Sequence, residues 1–140
     1  MKNHIIFFPV VFQITLTLAL YILLSVRKSR AVKQGNVDES RRGLFDDAWP
    51  VDVIAVNNCI RNQFEIPVLF YVLSIILWAL KAVDYLSFSI ACLFVASRIA
   101  HAVVHTGTNH VPTRRRIFMF GTLLILVLSV LATRAIFTVA

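Results

Sequence analysis

Residues 5–26, IIFFPVVFQITLTLALYILLSV, run for 22 positions without a charged side chain. At 1.5 Å per residue a helix of that length extends about 33 Å, enough to cross a hydrocarbon core of about 30 Å. A soluble fold is closed to this chain, because 140 residues enclose no interior large enough for a sequence that is 59% hydrophobic with a mean hydropathy of +0.79. The run also exceeds the apolar core of a secretory signal, about 7–15 residues, and no small-residue cleavage site precedes RKSR. It is therefore expected to stay as a first span.

Three shorter apolar runs follow at 66–80, 85–97 and 117–133, and each reaches spanning length once extended into the polar residues beside it. The expectation is an all-α, integral membrane four-helix bundle, a single domain over 1–140 with helices at about 5–26, 53–81, 84–107 and 115–137. Cys59 and Cys92 both fall inside spans, which excludes a surface disulfide framework. Buried free thiols are the plain reading, with a redox role left open for Cys59 beside a polar cluster.

The basic residues report orientation. Arg27, Lys28, Arg30, Lys33, Arg41 and Arg42 follow the first span and Arg114, Arg115 and Arg116 precede the fourth, whereas the opposite ends carry only Lys2, Lys81 and Arg134. By the positive-inside bias, loops 27–52 and 108–114 face the cytoplasm and both termini face away from it. The formal charge of +7 is thereby a matter of topology, and with no nucleic-acid-binding motif present no nucleic acid partner is expected. The first loop mixes both signs with Gly35, Gly43 and Pro50 and reads as a surface excursion; Trp49 and Trp78 sit where interfacial anchors belong.

Polar residues inside the spans carry the functional signal. A charge at the centre of a bilayer costs about 2.5–3.5 kcal/mol even on insertion scales, so such residues face inward and find partners. Asn58, Arg61, Asn62 and Glu65 have the i, i+3, i+4, i+7 spacing of one helix face, and Arg98, His101 and His105 repeat the pattern on the third span. These stripes must face each other, a neighbouring subunit or a ligand. Depth places them at one level with Arg27 and Arg114, which predicts a basic pocket with one carboxylate. Arg61 and Glu65 can also neutralise one another as an i, i+4 pair, but one Glu cannot balance Arg61, Arg98 and Arg114 together. Pro67 is expected to kink the second helix or to be tolerated there. The pair in HAVVH, 101–105, also suits a metal, with Glu65 or His110 as the third ligand; no carboxylate lies nearby in sequence, and no metal is expected.

The segments RNQFEIP at 61–67 and SRIAHAVVHTGTNHVPTR at 97–114 resemble the membrane-associated proteins in eicosanoid and glutathione metabolism (MAPEG), especially the bacterial branch of that family. The first follows an Arg-Asn-x-x-Glu-x-x-Pro-like signature with the proline one position early. The resemblance implies a homotrimer in a membrane, a bacterial inner membrane for that branch, with glutathione as co-substrate between adjacent subunits near the cytoplasmic face. It implies that Arg61, Asn62 and Glu65 hold the charged ends of glutathione together with Arg27, Arg98, His101 and His105, and that Arg114 stabilises the thiolate. Hydrophobic small molecules or lipids would be the second substrates. His105 stands where many eicosanoid enzymes of the family have tyrosine, Phe118 replaces a second aromatic hydroxyl, and Arg115 replaces a serine, which argues against prostaglandin or leukotriene synthesis. The implied activity is a glutathione-dependent transferase or peroxidase; the alternative is a non-catalytic lipid-binding or scaffold protein of the same fold. A transporter fits less well, since the polar residues cluster at one end instead of lining a path.

Overall fold

A computed structural model describes residues 2–139. A 3-10 turn at Asn3–Ile6 leads into α1 (Phe7–Lys33); a loop with a 3-10 turn at Asp46–Ala48 leads to α2 (Val51–Arg61); a 3-10 turn at Asn62–Phe64 joins it to α3 (Ile66–Ala79), followed by α4 (Tyr85–Thr106) and α5 (Val111–Val139). Among the described residues there is no strand, and four stretches are long and apolar enough to cross a membrane: Asn3–Lys33, Val51–Ala79, Tyr85–Thr106 and Val111–Thr138. The expected all-α four-helix membrane architecture is the observed one.

Helix boundaries depart from the expected ones beside runs of charged residues. The first helix continues past Val26 to Lys33, so Arg27, Lys28 and Arg30 lie on a rod, not in the loop assigned to 27–52. Lys and Arg are good helix formers, and cations in a last turn oppose the negative end of the helix dipole. The helix stops at a Schellman motif, in which Asn36 N–H reaches Ala31 C=O, Gly35 N–H reaches Val32 C=O, and Gly35 takes φ +66°. The fourth span likewise begins at Val111, before the expected 115, with Pro112 in its first turn, where a missing N–H forfeits no helical bond. Arg114 is thereby helical and not part of loop 108–114.

The second span is not one unbroken helix over 53–81. Pro67 has no N–H for the Gln63 carbonyl, and its ring crowds that carbonyl. The chain answers upstream of the proline, tightening to a 3-10 turn at Asn62–Phe64 and turning sharply at Glu65, with φ −100° and ψ −104°, before α3 begins. The break interrupts the regular helical repeat on which the stripe over 58–65 rests, so spacing alone does not fix where Glu65 lies relative to Asn58 and Arg61.

Helix α4 is the central rod. Half of its most apolar window is buried, against 22–28% for the other three spans. It packs on α1, α2 and α5, and α5 also packs on α3. Gly121 lets α5 approach α4 closely: a Cβ built there would stand 3.0 Å from Ser97 Oγ. Phe70, Leu77, Phe94, Ile125 and Leu128 form the larger apolar core, and Leu20, Val56, Ile60 and Ala102 form a smaller one around Cys59. At the end away from the first loop, Asn3 Nδ2 donates to Trp78 C=O (2.6 Å) and its Oδ1 accepts from Val83 N–H, fastening the N-terminus to the turn between α3 and α4.

Candidate functional site

Because α4 is central, its polar face points into the bundle. Arg98 and His101 are each 1% exposed and His105 is 2% exposed, although all three are polar and lie in a span. Arg98 donates from Nη2 to Asn62 C=O at 3.3 Å, a carbonyl near the helix break, and its guanidinium lies 5.5 Å above the Phe118 ring. The His101 ring stands 5.4 Å from His105 and 5.8 Å from Phe118. Opposite this face, the inward side of α2 presents Cys59, and the 3-10 turn presents Gln63. The Gln63 amide donates to Cys59 C=O (3.1 Å) and approaches Cys59 Sγ (3.9 Å), while Gln13 of α1 donates to Gln63 Oε1 (2.8 Å). Gln13, Gln63 and Cys59 complete a polar layer on which α1, α2 and α4 converge.

The residues expected on helix two lie nearer the surface. Arg61 and Glu65 are exposed and Asn58 and Asn62 half-buried, and the two stripes meet through the Arg98 bond to Asn62 C=O. Arg61 is not paired with Glu65: its guanidinium binds Asp46 of the first loop and Asn58 Oδ1. Glu65 makes no ion pair among the described residues, and neither Arg98 nor Arg114 meets a carboxylate among them. Arg114 is half-buried, bonded through Nη1 to Asn109 Oδ1 (2.8 Å), whereas Arg115 and Arg116 are exposed; only the first of the three consecutive arginines turns toward the bundle.

Arg27 serves the scaffold. It donates to Asp52 C=O (2.7 Å) and to Thr106 C=O (2.8 Å), the last residue of α4, satisfying an end-of-helix carbonyl while tying α1, α2 and α4 together. A cleft of about 710 Å³ opens beside it, bordered by Arg30, Asp52, Ala55, Gly107 and Asn109. The first loop folds against the same end. Lys28 Nζ lies 4.6 Å above Trp49, Arg41 pairs with Asp47, and Arg42 with Glu39. In this loop the Ser40 hydroxyl holds the Asp38 carboxyl below its ordinary range.

Gln13 and Gln63 are not among the site residues expected from the sequence. Gln13 is an amide within the charge-free run of the first span, and Gln63 lies one turn from Cys59; both carried the signal that a polar group in a span seeks a partner. Asp46 is a different case, since nothing local in a loop carboxylate announces that it will meet Arg61. A sequence model of the MAPEG family matches residues 5–134. No curated protein and no solved structure matches the chain.

Proposed function

The chain belongs to the MAPEG family, and from that premise we propose that it is a membrane-bound, glutathione-dependent transferase or peroxidase acting on hydrophobic electrophiles or lipid hydroperoxides. The observation that carries this reading is the set of charges without ionic partners among the described residues: Glu65 on one side and Arg98 and Arg114 on the other. Glutathione has two carboxylates and one ammonium, and a guanidinium grips a carboxylate through two parallel hydrogen bonds. In this reading Arg61, Asn62 and Glu65 hold its charged ends on the outer face of the second span, and an adjacent subunit of a homotrimer closes the site. Arg98, His101 and His105 stand behind that face, and Arg27 keeps the rods in register.

The chemistry rests on the thiol. A free cysteine thiol titrates near about 8.5 and is largely protonated at neutral pH; a guanidinium alongside favours the thiolate. Arg114 is the group for this role, being the inward-turned member of its run. The thiolate forms a C–S bond to an electrophilic carbon as the leaving group departs with the electron pair. With a hydroperoxide, two glutathiones supply two electrons, and the products are an alcohol, water and the glutathione disulfide.

Calorimetry of glutathione binding to the detergent-solubilised protein tests the proposal. Arg61→Ala is expected to lose affinity; Arg114→Ala is expected to keep binding while the bound thiol titrates near its free value. The scaffold reading draws support from Arg27 and Arg98, which already donate to backbone carbonyls. Absence of binding at millimolar glutathione would decide for it, and an unchanged thiol pKa in the wild-type complex would remove the catalytic claim.

A further inference from the structure

The polar layer behind the outer face of the second span contains a donor set in which two imidazoles meet a thiol. Cys59, His101 and His105 each place a sulfur or ring nitrogen within 4.8 Å of the other two, and all three side chains are buried. His101 and His105 are one helical turn apart on α4, and Cys59 reaches them from α2, so two rods contribute to the cluster. Both imidazoles lack a hydrogen-bond partner at Nδ1 among the described residues, although each is at least 98% buried. A buried polar atom without a partner loses the hydration it had in water, and a metal ion is one of the few partners that supplies more than it lost. Gln63 already stands where an outer-shell donor to a thiolate belongs, 3.9 Å from Sγ.

We propose that Cys59, His101 and His105 form a thiolate–bis-imidazole site for a soft monovalent d10 cation, Cu(I). One sulfur and two imidazoles with no carboxylate among the three form a soft donor set, which disfavours magnesium, calcium and manganese and leaves copper and zinc. Charge decides between them. Arg98 and Arg114 lie within coulombic range of the cluster, and Glu65 is the acid within range of Arg98. When Cu(I) replaces the thiol proton, which leaves to solvent, no electron moves and the charge of the buried layer is unchanged. Zn(II) in the same exchange adds one positive charge beside two guanidiniums in a low-dielectric interior. Three donors also satisfy a low-coordinate ion, whereas zinc seeks a fourth. Around a trigonal ion, donors stand about 3.5–3.8 Å apart for bond lengths of 2.0–2.3 Å, so side-chain movement of about 1.3 Å at most closes the set.

The site is tested by equilibrating the full-length reduced protein in detergent with Cu(I)–bicinchoninate, without glutathione. One Cu(I) per chain is expected. Cys59→Ser and His101→Asn should each weaken uptake by more than the roughly 10–100-fold that loss of an outer-shell partner costs, and Cys92→Ser should leave it unchanged. Should a variant fail to fold, X-ray absorption of the wild-type copper complex reads the same claim, with one sulfur and two imidazoles expected around the ion. Substoichiometric uptake, uptake unaffected by Cys59→Ser, a shell without sulfur, or Zn(II) taken up in place of Cu(I) would each overturn the assignment. Because glutathione is absent from this assay, its failure leaves the calorimetric test of glutathione binding standing.

Discussion

Arg27 and Arg98 show two ways for a cation to live in or beside a bilayer without a carboxylate. Each donates to backbone carbonyls that helix geometry has left free or loosened: Arg27 at the end of α4, Arg98 at the break after α2. A hydrogen bond from a charged donor contributes about 1.5–3 kcal/mol, so Arg27→Met is expected to destabilise the protein by about 2 kcal/mol in the absence of glutathione, read as a lower Tm in detergent. A purely ligand-binding Arg27 would leave that Tm unmoved. The positions of these arginines were legible in the sequence as charges at the edge of apolar runs. Their acceptors were not, because a backbone carbonyl carries no sequence signature.

Two helix termini show how much a local rule settles. The helix α4 starts at a capping box: Asp84 Oδ1 accepts from Ser87 N–H (2.8 Å) and Ser87 Oγ accepts from Asp84 N–H (2.9 Å). The Ser87 backbone N–H first, and the Ser87 hydroxyl second, hold the Asp84 carboxyl below its ordinary range. Since the folded pKa is the lower one, the contribution of the cap is complete above the unfolded value of about 3.9 and is lost as pH falls through the folded pKa. Asp84→Ala is expected to cost about 1 kcal/mol at neutral pH and progressively less in acid, measured by thermal melts across pH. At the other end of this turn Lys81 closes α3 with φ +52°, Ala82 N–H reaching Leu77 C=O and Lys81 N–H reaching Trp78 C=O. A left-handed residue with a Cβ is strained by roughly 1–2 kcal/mol, and Lys81→Gly is expected to raise Tm by relieving part of it. The break at Glu65 was foreshadowed by Pro67 alone. Its exact place, a 3-10 turn at Asn62–Phe64 and a sharp turn at Glu65, was not marked by the proline itself.

At the level of the assembled bundle, the arrangement divides its polar residues. Those on α4 are enclosed by the chain itself, while Arg61, paired with Asp46 of the first loop, and Glu65, without an ion pair among the described residues, are exposed on the outside of a stretch long enough to cross a membrane. A charged side chain facing lipid is costly, so a neighbouring copy is expected to cover Glu65. Native mass spectrometry in detergent is expected to report three copies, and Glu65→Leu to shift the distribution of oligomers. A strictly monomeric protein would remove the shared site. The first loop is expected on the cytoplasmic side: a cysteine introduced as Gly43→Cys in a Cys92→Ser background should react with an impermeant thiol reagent only from that face.

Length and hydropathy alone determined that the chain crosses a membrane with four helices, since a backbone in lipid must satisfy its hydrogen bonds within each rod. The residue pattern at 61–67 and 97–114 also sufficed to place it in its family. Helical spacing told which polar residues share a face, but not which way that face turns. Only packing decided that Arg98, His101 and His105 point inward to meet Cys59 and Gln63 while Arg61 leaves for Asp46. The reason is physical: the rotation of a rod about its axis is set by contacts with every neighbour at once, and those contacts join residues far apart in the chain.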